Sequence, residues 1–272
     1  MRSCTTESFS TSEGRPDYDF RDSVAPHSIQ NNMSNTFLSE ANKRLGVHYA
    51  VTTEGVELPV VDVTHPAFTL TLSDSEQHAR VDQFLQERVP FAGFPKSIRD
   101  LLLRFFLRGS VLGQGIHQSQ GTFMTGMHTY LLKLGPEMLG SAYAKPIDRK
   151  IAASLPVLSA RPRLQDMVYL MVERPLTVLS SDPRRPLCFM NIGGGPAIDS
   201  LNALIVLNKR QPGSLADQEV SIDVLDQDDA GPKFGGRPCR RFRAAEGHCT
   251  ELVLSCATFD MTGENLWVCS CP

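Results

Sequence analysis

The chain has 272 residues, 41% of them hydrophobic and 21% charged, with a net charge of −3. That length allows one large domain or two small ones around a buried core, and the charge balance excludes a general electrostatic surface for nucleic acid. The longest apolar run, 101–107, is cut by Arg104 and falls far short of a membrane span.

The first residues lack the apolar stretch of a secretory signal, which points to the cytoplasm and to reduced cysteines. Residues 1–40 are rich in Ser, Thr, Asn and Asp without a period, the composition of a mobile tail. In the next segment, 41–72, residues 47–63 alternate β-branched and polar side chains around Thr53-Glu54-Gly55. That pattern predicts a small β-hairpin, with Pro59 marking an edge.

Residues 73–180 read as a mostly helical cap. Ser73 with Glu76 three residues on is a capping-box arrangement opening a helix to Val89. Pro90 and Pro95 bracket a turn, and 96–109 reads as an amphipathic helix ending at Gly109. Further helices are expected over 121–135, stopped by Gly135-Pro136, and over 146–160, interrupted by Pro156. A last one, from Arg163, is expected to end before Pro175.

Residues 181–272 change character. The run 187–192 reads as a continuously buried strand, Gly193, Gly194 and Gly195 interrupt it, and a helix follows to about Asn208. A loop over 210–218 leads to a second strand, 220–226. This is the β-loop-α-β order of a parallel sheet. No clean helix is expected between Asp229 and Thr250, and short strands are expected at 251–256 and 266–271.

A glycine turn between strand and helix places backbone N–H groups and a helix N-terminus at the strand's carboxyl end, where close-lying ligands and anions bind. The same turn also serves where strand and helix merely pack closely, and an Asp at a strand's end is a common turn residue. The dinucleotide fingerprint would need a third glycine where this chain has Ile198, and no Gly-Lys-Ser/Thr follows to make a P-loop.

The pattern Asn191-x-Gly193-x-Gly195-x-Ala197 resembles the first motif of class I S-adenosylmethionine-dependent methyltransferases. The resemblance covers 187–260 and implies an α/β fold: an incomplete Rossmann-like parallel sheet preceded by the helical cap and hairpin. It implies S-adenosyl-L-methionine lying against Asn191, Gly193, Gly194 and Gly195. Asp226, ending the second strand with Gln227 beside it, would hold the ribose hydroxyls, and Asp260 would reach the adenine. Asp223 is the second choice for the ribose. Asn191 stands where the family usually has an acidic residue, and the loop over 210–218 lengthens the usual spacing to the ribose acid.

His128 is the candidate general base, since its pKa lies near neutrality. Beside that stands its reading as a half-buried, hydrogen-bonded side chain of an amphipathic helix, and Tyr130 and Tyr143 read as core or rim. Methyl transfer rests on alignment more than on acid–base groups, so no triad is required. The substrate expected is a small molecule, with neither nucleic acid nor membrane as partner. An NAD-dependent oxidoreductase and a non-catalytic interaction module are the alternatives. The family's sheet has more strands than this chain supplies, which implies a truncated or altered C-terminus and an oligomer or partner covering the incomplete sheet. His248, Cys249, Cys256, Cys269 and Cys271 are numerous enough for zinc, but they lack the paired spacing of such sites, so no metal is expected.

Overall fold

The computed structural model describes residues 38–86, 93–119, 124–140, 143, 145–182, 184–216, 218–226, 228–246, 251–259 and 266–270, with side chains as far as Cys239. They belong to one compact unit, Asn35–Pro272. Most of the expected tail, 1–37, lies outside the described residues, and Glu40–Asn42 forms a single 3-10 turn.

Strands β1 (Tyr49–Val51) and β2 (Glu57–Pro59) pair antiparallel about the turn at Thr53–Gly55. Helix α1 (Asp74–Gln86) opens on a reciprocal capping box: the Glu76 N–H donates to Ser73 Oγ, and the Ser73 N–H donates to Glu76 Oε2. Helices α2 (Lys96–Phe106), α3 (Val111–Gln118) and α4 (Gly126–Leu134) follow. α3 was not expected, because Gly113 and Gly115 have poor helix propensity. Packing overrides propensity there. A Cβ on Gly113 would lie 2.6 Å from Leu107, and one on Gly115 would lie 2.5 Å from the His128 ring.

Pro156 divides the next segment into α5 (Pro146–Ala152) and α6 (Leu155–Leu158). α7 (Ala160–Ser181) runs through Pro175 instead of ending before it. Val172 on one side of the proline and Leu179 on the other are both buried, and that shared apolar face outweighs one lost backbone hydrogen bond.

The second sheet has the order β3-β4-β5-β6: β3 (Leu187–Ile192), β4 (Glu219–Asp226), β5 (Glu251–Phe259) and β6 (Leu266–Ser270). The first three are parallel and β6 is antiparallel. The crossovers are α8 (Ile198–Arg210) and α9 (Ala230–Glu246). α9 occupies the stretch read as lacking a helix, where Gly231, Gly235 and Pro238 mask the pattern. Its glycines meet the preceding loop, as described below.

Strands added in one direction by right-handed crossovers put both helices on one face. Burial follows that rule. Val220, Ile222 and Val224 of β4 are buried with Leu187, against Leu201, Leu204 and Leu207 of α8. Across the sheet, Cys188, Met190 and Ile192 are exposed, so β3 is an alternating edge strand rather than the continuously buried one expected.

Buried polar side chains tie the hairpin to the helices. Asn202 donates to the Val61 and Ile198 carbonyls and accepts from the Val63 N–H. Tyr130 donates to the Pro59 carbonyl and accepts from the Val61 N–H, while its ring packs on Phe234 at 5.1 Å between centroids. Arg237 of α9 donates to the Val51 carbonyl.

Candidate functional site

The parallel register sets Ile192 opposite Leu225, so the chain leaves β3 level with Asp226 at the carboxyl end of β4. The Gly193 N–H donates to the Leu225 carbonyl at 2.7 Å, extending the ladder by one bond. Gly193, Gly195 and Ala197 then alternate in the left-handed region, with φ of 64°, 51° and 54°. A side chain disfavours that region, which explains two of the glycines. Gly194 answers to crowding, since a Cβ there would lie 2.4 Å from Asn191 Cβ. Asn191 is turned toward the first turn of α8, exchanging hydrogen bonds with Ser200 at 2.9 and 3.1 Å.

What lies closest to this backbone is other backbone. A Cβ on Gly126, first residue of α4, would stand 2.5 Å from Gly195 Cα. One on Gly231, in the first turn of α9, would stand 2.9 Å from the same atom, and one on Gly235 would stand 2.1 Å from the Pro196 carbonyl oxygen. The N-terminal turns of α4, α8 and α9 therefore converge on one point. Gly193 is the exception: it is exposed, and a Cβ there would meet nothing within 4 Å.

Two carboxylates hold the convergence. Asp226 accepts the Gly195 N–H at 2.7 Å and the Asp228 N–H at 3.2 Å, and it is only 8% exposed. Asp228 caps α9 by accepting from the Ala230 and Gly231 N–H groups, and its other oxygen accepts the Gly126 N–H at 2.9 Å. Helix N-termini carry partial positive charge. Here the chain's own carboxylates supply the matching anions. Lys133 of α4 and Asp199 of α8 add an ion pair at 3.1 Å beside the same junction.

His128 lies in the first turn of α4. Thr125 caps that helix, and its Oγ1 shares a 2.7 Å hydrogen bond with His128 Nδ1. Burial holds the imidazole below its ordinary value, and the nearby Asp228 carboxylate offsets that only in part. The ring of His128 lies against Gly115 of α3, two residues along α4 from the Gly126 that meets Gly195. Three other polar residues of the cap are engaged elsewhere. Tyr130 is a buried bridge to the hairpin, its pKa raised by burial. Tyr143 is buried near Glu54 and Thr52, with its phenol pushed up to about 12. Asp148 accepts from the Ser110 hydroxyl and the Leu112 N–H at the start of α3.

Of the residues read from sequence, the structure brings Asn191, Gly193, Gly194, Gly195 and Asp226 together, and His128 lies in the first turn of the α4 helix that meets them. Gln227 and Asp260 lie outside the described residues, as do His248, Cys249 and Cys271. Asp223 sits mid-strand beside Met190, away from the loop. Sequence reasoning passed over Asp228, Gly126 and Gly231. Asp228 just ahead of a helix start was a readable capping signal, whereas nothing local ties Gly126 to Gly195. Comparison with protein-family models, characterised proteins and solved structures gives no match.

Proposed function

We propose that the chain is a cytoplasmic S-adenosyl-L-methionine-dependent methyltransferase, with β3, α8, β4, α9 and β5 as half of a Rossmann-like sheet and a small molecule as acceptor. The observation that carries this reading is the charge at the loop. Three helix N-termini meet there, and Asp226 and Asp228 already match their positive ends. A pyrophosphate would meet those carboxylates as like charges. A sulfonium is a cation without phosphate, and the same carboxylates favour it. Ile198, buried where a dinucleotide loop has its third glycine, weighs in the same direction.

The residues present fit such a cofactor on the exposed side of the loop, where Gly193 leaves space. The cofactor supplies the activated methyl group. Gly193 would let it approach the backbone, and Asp226 fixes the loop through the Gly195 N–H. We assign to His128, which shares a hydrogen bond with Thr125, the role of taking a proton from an acceptor hydroxyl. Its depressed pKa keeps the imidazole neutral, as a base requires.

The seam of Gly126, Gly195 and Gly231 favours a second reading, a non-catalytic module whose loop serves packing. Calorimetric titration with S-adenosylhomocysteine and with NAD separates the two. The methyltransferase reading expects binding of the first and none of the second. Gly193→Asn should abolish that binding with little change in melting temperature, because asparagine tolerates a positive φ and the site is open. A folded chain that binds neither compound would leave the packing role standing.

A further inference from the structure

The most apolar side of α2 faces outward. The helix has no buried residue, and Ile98, Leu101 and Phe105 are 45%, 68% and 76% exposed. They follow the three- and four-residue spacing that lines up one face of a helix, and Phe94, also exposed, precedes the N-cap Pro95. Near its end Leu107 packs against Gly113, and Ser110 caps α3.

The charges around this stripe are one-sided. At 100° per residue, Arg104 falls on one flank and Arg99 on the other, Lys96 lies on the far side at the N-terminus, and Arg108 follows in the turn after the helix. Asp100 is the sole carboxylate among them, in a chain whose net charge is −3. The helix and the turn after it therefore carry a local net positive charge. Eleven residues make a rod of about 16 Å, too short to cross a bilayer and suited to lying along one.

We infer that α2 is an interfacial helix that docks the protein on an anionic lipid surface. Ile98, Leu101 and Phe105 enter the boundary between headgroups and acyl chains. Arg99, Arg104 and Arg108 lie along it at headgroup level, their aliphatic stems covering the apolar margin. Complementary charge favours a bilayer over an apolar protein groove, which would have to desolvate guanidinium groups on both sides of the stripe. The surface is independent of the glycine loop.

The test is co-sedimentation of the full chain with vesicles of phosphatidylcholine alone and of phosphatidylcholine mixed with phosphatidylserine. The chain is expected to sediment with the mixed vesicles, to remain in solution with the neutral ones, and to be released by raised salt. Arg104→Gln should weaken partitioning about fivefold, the effect of one basic residue at such a surface. Leu101→Glu with Phe105→Glu should abolish it, with the circular dichroism unchanged because both side chains are exposed. Release by salt tests the charge term on the unaltered chain, whether or not a variant folds. A chain that ignores anionic vesicles, or binds them equally with α2 altered or at high salt, overturns the inference; a protein groove then remains as the occupant.

Discussion

Asp226 is a buried carboxylate whose two oxygens each accept a backbone N–H. Asp226→Ala leaves the buried Gly195 donor without its partner, an expected loss of about 1–3 kcal/mol in unfolding free energy by denaturant titration. A variant as stable as the parent would mean that the loop is held by its glycines alone. His128 gives a second test at this scale. Its folded pKa is depressed below the ordinary value of about 6.5, so between the two values the unfolded chain binds more protons. Its contribution to stability is therefore present above the ordinary value and is lost as pH falls toward the depressed one. Melting temperature should drop across that window, and His128→Gln should make the drop shallower. Identical acid limbs for the two proteins would show that the histidine charges freely in the fold.

At the scale of elements, the junction of α4, α8 and α9 sets the geometry of the loop. Backbone-to-backbone approach requires the missing side chains of Gly126, Gly195 and Gly231 together, so the loop's form belongs to three helices rather than to one motif. α7 offers a cleaner energetic test. Pro175 removes the donor that would bond the Met171 carbonyl, yet the helix continues because Val172 and Leu179 share a buried face. Pro175→Ala restores the bond and should raise stability by about 1–3 kcal/mol in thermal or denaturant melts. An unchanged midpoint would mean that the half-buried ring contributes as much as the bond it prevents.

Across the whole molecule, β3 and β4 bury the face of the sheet that carries Leu187, Val220, Ile222 and Val224. β3 forms an edge among the described residues, with Met190 74% exposed on the open face. An edge with unpaired backbone groups and apolar neighbours is a template for association. Sedimentation velocity should show concentration-dependent association through this region, reduced in Met190→Lys. A chain that stays monomeric across the accessible range would leave the edge without a partner of its own kind. Among the described residues, no helix is long and apolar enough to cross a membrane.

Local chemistry was legible in the sequence: the Ser73–Glu76 box, the hairpin about Gly55, and the order of β3, glycine turn, α8 and β4. Each of these depends on side-chain spacing within a few residues or on one backbone preference. Three features took the folded chain to decide. α3 and α9 form despite glycine and proline, because their glycines meet Leu107, His128, Gly195 and Pro196, all distant in sequence or on other elements. β3 is apolar except for Asn191 yet buried on one face only, since composition cannot say which face a helix covers. The side chain of Asp226 turns to the Gly195 N–H across a gap of 31 residues. A pattern of residues fixes what each segment can form; which backbones touch is settled when the segments pack, because contact depends on shape and distance that no single segment carries.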